Sequence, residues 1–194
     1  NMGCPAKKVC KRAAGSALLR EPELVNKILI SVVDAVDVPV TLKIRTGWDK
    51  TTINAIQIAK IAENAGISAL AIHGRTRACR FVGEVEYETI ARVTESISIP
   101  VFANGDIDSP KKAKDVIEKT GATAVMIGRS ALGKPWIFDQ INEYLSHGTL
   151  YRQPSKEEIQ KIVMTHLKSI HKFYGEATGL KFARKHMNLS LIHI

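Results

Sequence analysis

The chemically most suggestive residue of the sequence is a cysteine held in a turn. Cys4 lies between Gly3 and Pro5, and because proline cannot continue a helix or central strand, the thiol is expected on accessible backbone. The first twenty residues contain five bases and no acid, which favours an anionic partner and could tune the thiolate character of the cysteine. Taken alone, these residues are also compatible with a turn cysteine that has no chemical role.

Four further groups of polar residues each follow a short apolar run, always at its carboxyl end. The groups are Lys43-Ile44-Arg45-Thr46-Gly47, His73-Gly74-Arg75-Thr76, Asn104-Gly105-Asp106 and Gly128-Arg129-Ser130. Their regular placement indicates one repeated structural unit that positions all of them.

That unit is a strand followed by a helix. Short β-branched apolar runs predict strands over 38–44, 69–73, 99–104 and 122–128. Helical periodicity predicts helices over 23–36, 52–65, 85–97 and 110–119. Strands of nearly continuous hydrophobic character are typical of a parallel sheet covered on both faces, and Gly66 and Gly121 are placed to end two of the helices.

The polar groups indicate a (β/α)8 TIM barrel. In that fold the carboxyl edge of the strands carries the active site, and the loops after strands seven and eight commonly bind phosphate, whereas a doubly wound sheet binds at one switch point. A complete barrel needs about 250 residues, so this chain is expected to hold only its C-terminal half. We therefore predict a partial barrel over residues 1–148, comprising strands five to eight and the loop after strand four with Cys4.

The remaining residues predict the start of an α-helical domain over 149–188. Ser155-Lys156-Glu157-Glu158 has the pattern of a capping box, and the helix that follows has one apolar face formed by Ile159, Ile162, Val163, Leu167 and Ile170. Residues 189–194 break from this pattern and resemble a translated sequencing adaptor, so we predict that they are a non-native tail.

Composition excludes several classes of protein. The chain is 45% hydrophobic, but it contains no run near the roughly 18 apolar residues of a membrane span, and its first residues lack the apolar segment typical of a signal peptide. Its three cysteines form no Cys-x-x-Cys pair, which argues against a disulfide framework and a zinc site and favours a reducing cytoplasm.

The charge of the chain is +9 and unevenly distributed. Residues 151–187 contain eight bases and three acids, and residues 1–20 form a second basic region. Separate basic regions favour a polyanion such as RNA as partner, although solvated lysine-rich helices would give the same count.

Several motifs resemble those of the tRNA-dihydrouridine synthases, most closely the bacterial B-type branch, over residues 1–187. The motifs are Asn1-Met2-Gly3-Cys4-Pro5-Ala6-Lys7-Lys8-Val9, Leu42-Lys43-Ile44-Arg45-Thr46-Gly47-Trp48, Ile72-His73-Gly74-Arg75-Thr76-Arg77 and Ala103-Asn104-Gly105-Asp106-Ile107. The resemblance implies FMN-dependent reduction of uridine to 5,6-dihydrouridine in tRNA, with NADPH as reductant. It also implies no metal and no membrane, and a monomer is favoured although the oligomeric state stays open.

The resemblance also implies a role for each motif. Hydride would pass from flavin N5 to uracil C6, and Cys4 would donate the proton to C5. The residues that would bind the cofactor are Lys43 beside the pyrimidine edge of the flavin, His73 near the isoalloxazine or phosphate, Asn104, Gly105 and Asp106 in a phosphate or ribityl turn, and Gly128 and Arg129 at the phosphate.

Other residues are left without an assigned role. Arg45, Arg75 and Arg77 could meet flavin, tRNA or solvent, and spacing does not decide between these. Cys10 stands where the family would have asparagine, and Cys79 is interpreted as a loop residue without a function.

Two alternative functions remain open at this point. One is a flavin-dependent barrel that acts on a free pyrimidine, similar to dihydroorotate dehydrogenase, and the other is a non-catalytic RNA-binding barrel. The basic helical segment argues against an enzyme that acts on a free pyrimidine. The presence of both Cys4 and Lys43 argues against a non-catalytic barrel, because binding alone requires neither residue. As a fragment, the chain itself is expected to be inactive and to retain little FMN.

Overall fold

A computed structural model of the protein describes residues 1–149 and 152–191. These residues divide into two compact units, one formed by Asn1–Ile107 with Lys114–Met126 and the other by Asp108–Ala113 with the described residues from Ile127 onward. The predicted boundary at residue 148 stays a prediction. Of the predicted tail, Leu189–Leu191 belong to the last helix and residues 192–194 lie outside the described residues.

The first unit contains a four-stranded parallel sheet. Its strands are β1 Thr41–Arg45, β2 Ala69–His73, β3 Val101–Asn104 and β4 Ala124–Met126. They are adjacent in the order β1-β2-β3-β4. Helices α1 Lys7–Cys10, α2 Pro22–Asp34, α3 Ala55–Asn64, α4 Glu88–Ser96 and α5 Pro110–Thr120 accompany them, with a 3-10 helix over Gly15–Arg20 and α5 divided between the two units.

This strand order confirms the α/β class. A doubly wound sheet reverses its order at a switch point, whereas consecutive strands of a barrel remain neighbours, each connected to the next by a helix. The order observed here is that of consecutive units of a (β/α)8 barrel, followed by a helical part. Gly66 and Gly121 have φ values of +86° and +64° after α3 and α5, as the sequence predicts.

Alternation along the strands separates an apolar face from a polar one. One face contributes buried side chains to the core, namely Leu42, Ile44, Leu70, Ile72, Val101 and Ala103. Ile58 of α3 and Ile90 and Val93 of α4 are fully buried as well, and α3 packs against β1. The opposite face of β1 carries Lys43 and Arg45, so burial of the apolar face turns the polar residues toward one side of the sheet.

Several predicted boundaries are wrong, and for three of these elements the physical reason is identifiable. β1 begins at Thr41 rather than at residue 38, since Pro39 has no N–H to donate and Val38 is 66% exposed. The predicted strand over 122–128 is confirmed only over Ala124–Met126, because β3, with which it pairs, ends at Asn104. Helix α4 begins at Glu88 rather than 85, since the Glu86 N–H donates to the carbonyl of Gly74 at 2.9 Å.

The second unit is helical. It contains a 3-10 helix over Arg129–Ala131 and the helices α6 Ile137–His147, α7 Lys156–Tyr174 and α8 Glu176–Leu191. Trp136, Ile159 and Val163 form a small buried cluster, against which Ile162 and Met187 pack. Within residues 1–149 and 152–191, no helix has both the length and the apolar character needed to cross a membrane.

Helix α7 begins with the predicted capping box. The Glu158 N–H donates to Ser155 Oγ at 3.3 Å, and the Ser155 N–H donates to Glu158 Oε2 at 2.7 Å. The Arg152 guanidinium also binds both oxygens of Glu158, at 2.6 and 2.5 Å, and lowers the pKa of this carboxyl to about 2. The start of α7 is therefore set by local hydrogen bonds.

Replacement of Ser155 by alanine is expected to weaken the helical unit. The substitution leaves the Glu158 N–H without its acceptor, and loss of such an N-cap costs about 1 kcal/mol of the free energy of unfolding. Urea denaturation followed by circular dichroism measures this. The matched control is Ser169→Ala, whose hydroxyl donates to Thr165 O within the same helix and whose loss should have no destabilising effect. Equal destabilisation by both substitutions would contradict the capping role.

Candidate active site

The strand ends form one row of residues across the sheet. Arg45 pairs with His73, His73 with Asn104 and Asn104 with Met126. Paired residues of parallel strands point to the same face, and Lys43, two positions before Arg45, shares that face. The register thus brings together three polar side chains of the row and Lys43.

Lys43 and Asn104 are joined by a hydrogen bond across three strands. Lys43 Nζ donates to Asn104 Oδ1 at 2.9 Å, and Asn104 Nδ2 donates to the carbonyl of Met126 at 2.8 Å. Burial lowers the pKa of Lys43, and the positive charge of Arg45 lowers it further. The hydrogen bond described for this ammonium is to a neutral amide, so its charge is available to a bound anion.

His73 is buried and uncharged. Burial lowers the pKa of His73 to about 3, the positive charges of Arg45, Lys43 and Arg75 contribute, and Asp106 opposes the shift. Its Nε2 lies 3.5 Å from Arg75 Nη1. Because a guanidinium can only donate, Nε2 is assigned as the acceptor and Nδ1 as the protonated nitrogen. His73 thus offers a neutral N–H donor within a positively charged group of side chains.

Arg75 holds the turn that follows β3. Its Nη1 donates to Asp106 Oδ1 at 3.0 Å, and its Nη2 donates to Asp106 Oδ2 and, at 2.5 Å, to the carbonyl of Gly83. Asp106 has a φ of +46°, which is uncommon for a residue with a side chain. Arg75 Nε is buried and has no partner among the residues that the structure describes. The bidentate pair therefore orients the turn while one buried donor is left over.

Gly105 lies where a side chain would collide with its neighbours. Its φ is +129°, and a Cβ built there would be 2.9 Å from His73 Cδ2 and 2.9 Å from Val85 Cγ2. Its carbonyl accepts a hydrogen bond of 2.6 Å from Tyr87 Oη. The absence of a side chain lets the backbone of this turn approach the site closely.

The segment with Cys4 lies along the end of β1. The Met2 N–H donates to the carbonyl of Lys43 at 2.8 Å, and Arg45 Nε donates to the carbonyl of Gly3 at 2.9 Å. The Ser16 N–H donates to the carbonyl of Cys4 at 3.0 Å. The thiol is free and partly exposed, so a reactive group stands at the same edge as the polar row.

Gly128 and Arg129 belong to the second unit. Gly128 is exposed, with φ −115° and ψ −107°, and apart from its two chain neighbours no described residue has an atom within 4 Å of a Cβ built there. Arg129 is exposed at the start of its 3-10 helix. The structure brings together Cys4, Lys43, His73, Asn104, Gly105 and Asp106 in the first unit, and the participation of Gly128 and Arg129 stays a prediction.

Sequence reasoning left out two arginines that the structure places at the site. From the sequence, a solvated position in a loop was one of the open alternatives for Arg45 and Arg75. In the structure the two residues are only 2% and 3% exposed. For Arg45 the signal was present in the sequence, since it stands two positions after Lys43 on the same strand and must share its face. The burial of Arg75 depends on Asp106 and Gly83, which no local pattern reveals.

His73 is expected to stay neutral from pH 8 down to about pH 4, since its pKa in the folded protein is about 3. The unfolded chain binds this proton near the ordinary value, so stability that is complete above about pH 6.5 should decrease as the pH falls toward 3. An NMR titration of the histidine ring signals measures the pKa of His73. The signal of His73 is identified as the one that disappears in the variant His73→Gln. A midpoint between pH 6 and 7 would contradict the described burial.

Comparison with known proteins identifies the family. A family model described as Dihydrouridine synthase (Dus) matches residues 1–192. The tRNA-dihydrouridine synthase B of Pseudomonas aeruginosa is 60% identical over 96% of this chain and 56% of its own length. The protein of the same name from Vibrio vulnificus is 59% identical over 96% and 58% of the two chains. That of Salmonella typhi is 56% identical over 97% and 59%.

The chain therefore spans a little more than half the length of these curated relatives. Among solved structures, a chain of the Amycolatopsis orientalis BexX/CysO complex covers 70% of this chain and 55% of its own, with a TM-score of 0.42 and 17% identity, a likeness too low to support a conclusion. The family match over nearly the whole chain and the high identity of the relatives agree with each other. This chain belongs to the dihydrouridine synthase family.

Proposed function

We propose that this chain carries part of the active site of an enzyme that reduces uridine in tRNA to 5,6-dihydrouridine, with FMN as cofactor and NADPH as reductant. The names of the relatives, tRNA-dihydrouridine synthase B, support the substrate and the product. The single observation that carries the proposal is the hydrogen bonding of the Cys4 segment to β1 and Arg45, beside a row that contains Lys43 bonded to Asn104.

The residues at the carboxyl edge fit an anionic, phosphate-bearing cofactor. Lys43 and Arg75 provide positive charge, and the buried Arg75 Nε has no partner among the described residues. Gly105, which has no Cβ, packs its backbone directly against His73 and Val85, and a glycine-containing turn of this kind can present backbone N–H groups to a phosphate or ribityl group. The residues of the first unit that would hold FMN are Lys43, His73, Asn104, Gly105 and Asp106, and the participation of Gly128 and Arg129 stays a prediction.

Cys4 would act as the general acid. Bound reduced FMN would supply the hydride for C6 of uracil. The proton for C5 comes from the thiol, whose S–H bond breaks as the C5–H bond forms, with the electron pair left on sulfur. Thiols, with an ordinary pKa of about 8.5, are protonated at neutral pH yet acidic enough to donate, which a serine hydroxyl is not.

The other side chains prepare the site for this transfer. The Lys43 ammonium, fixed by Asn104, would balance negative charge on the cofactor. His73, neutral at physiological pH, would donate a hydrogen bond without adding a further cation. The turn at Gly105 and Asp106, held by Arg75 and Tyr87, would fix the phosphate end.

The basic segment after Cys4 fits a tRNA backbone. Lys7, Lys8, Lys11 and Arg12 are all exposed on or beside α1, directly after the proposed acid. Positive side chains at this position would neutralise phosphates on either side of the reacting uridine. The eight bases of residues 151–187 give the helical unit the charge expected of a second contact with tRNA.

Cys4→Ala in the full-length gene product is expected to separate the two half-reactions. Reduction of the flavin by NADPH should be unchanged, whereas single-turnover oxidation of the reduced enzyme by tRNA should fall by about 10²–10⁴-fold, the usual contribution of a general acid. Stopped-flow absorbance and mass spectrometry of dihydrouridine in tRNA measure both steps.

The matched control is Cys10→Ser, which removes the other thiol of the same segment and keeps a hydroxyl able to donate to the Cys4 carbonyl, as Cys10 Sγ does at 3.6 Å. It should retain the parental rate with tRNA. Parental activity of Cys4→Ala would refute the assignment of the acid, and oxidation of the reduced enzyme by a free pyrimidine without tRNA would refute the assignment of the substrate.

A further inference from the structure

Arg45 is a buried cation that contacts only backbone carbonyls through its described hydrogen bonds. Its Nε donates to Gly3 O at 2.9 Å, and its Nη1 donates to Thr76 O at 3.1 Å and to Arg80 O at 2.7 Å. The residue is 2% exposed. One side chain thus connects the segment with Cys4 to the loop that follows β2.

This environment is unusual for a buried charge. Burial of a cation is costly unless an anion compensates it, and carbonyl dipoles compensate it only in part. Arg75, equally buried, is paired with Asp106, whereas the salt bridges described for residues 1–149 and 152–191 include none to Arg45. The ring of Phe81, 5.4 Å from the Arg45 guanidinium carbon, adds a weaker cation–π contact. The site therefore retains an uncompensated positive charge beside Cys4.

Two thiols, those of Cys4 and Cys79, lie near enough to Arg45 to act on its charge. Burial and the nearby Arg75 lower the pKa of Arg45, while Cys4 and Cys79 oppose that shift. Of the two, Cys79 already contacts Thr76 Oγ1 through its Sγ at 3.1 Å. Cys4 directly follows the peptide carbonyl that Arg45 binds, so the arginine helps to set its position, together with the Ser16 N–H that donates to the Cys4 carbonyl.

We propose that Arg45 is a positioning residue, which holds Cys4 in place for proton transfer and provides the counter-charge for the thiolate that the transfer leaves behind. The inference rests on the proposed function. In that reaction the S–H bond of Cys4 would break, the C5–H bond of uracil would form and the electron pair would stay on sulfur, and the hydride at C6 is the chemistry that bound reduced flavin would supply. Negative charge would thus develop on the sulfur of the residue that follows the Gly3 carbonyl bound by Arg45 Nε, where a guanidinium is suited to stabilise it.

Two substitutions separate position from charge. Arg45→Gln removes the charge and most of the donors, and Arg45→Lys keeps the charge but cannot bind carbonyls of two segments at once. In the full-length gene product, single-turnover oxidation by tRNA should fall about 100-fold in Arg45→Gln and at least tenfold in Arg45→Lys. Flavin content, flavin reduction by NADPH and the Kd for tRNA should stay within about twofold of the parent. Arg92→Gln, at an exposed arginine of α4, is the control that should change none of these.

A double-mutant cycle tests whether Arg45 acts through Cys4. If it does, Cys4→Ala/Arg45→Gln should be no slower than Cys4→Ala alone, because the second substitution has nothing left to affect. If the rate loss of the double mutant equalled the product of the losses in the two single variants, the two residues would act independently and the proposal would be overturned. Parental activity of Cys4→Ala alone would instead overturn the proposed acid, so the two failures are distinguishable. If the Arg45→Gln variant does not fold, the same double-mutant cycle with Arg45→Lys tests whether Arg45 acts through Cys4.

A second measurement does not depend on turnover. Alkylation of Cys4 by iodoacetamide at constant pH, followed by mass spectrometry of its peptide, reports the thiolate. The rate should fall about tenfold in Arg45→Gln and stay near the parental value in Arg45→Lys, which retains the charge. An unchanged rate in Arg45→Gln would refute the counter-charge role.

Discussion

The parallel register of β1 to β4 sets the positions of Lys43, Arg45, His73 and Asn104, because each strand is paired residue for residue with the next. Ile44, Ile72 and Ala103 are fully buried on the opposite face. A slip of one residue in any strand would expose these side chains and turn Lys43 or His73 of that strand into the apolar core. The hydrophobic face therefore determines the geometry of the polar one.

The polar face places several cations close together, and each is accommodated differently. Arg75 is paired with Asp106, Lys43 donates to a neutral amide, and Arg45 relies on three carbonyls. His73 avoids adding charge because it is deprotonated. The result is a polar face of the sheet with more positive than negative charge, an arrangement that favours an anionic ligand.

Local patterns predicted the elements better than their ends. The four strands, the helices between them and the capping box at Ser155 follow from periodicity and turn chemistry over a few residues. The start of α4 depended on a hydrogen bond between Glu86 and Gly74, and the end of β4 depended on the length of β3. These boundaries are decided by contacts between distant segments, which periodicity does not contain.

The sequence by itself determined the α/β pattern, the polar residues at the strand ends and the basic character of both terminal regions, because each of these depends on residue type and local spacing. Only the tertiary structure decided which side chains meet. The Lys43–Asn104 and Arg45–Gly3 hydrogen bonds join residues 61 and 42 positions apart. The burial that makes Arg45 and Arg75 part of the site arises from several segments that come together only when the sheet has formed.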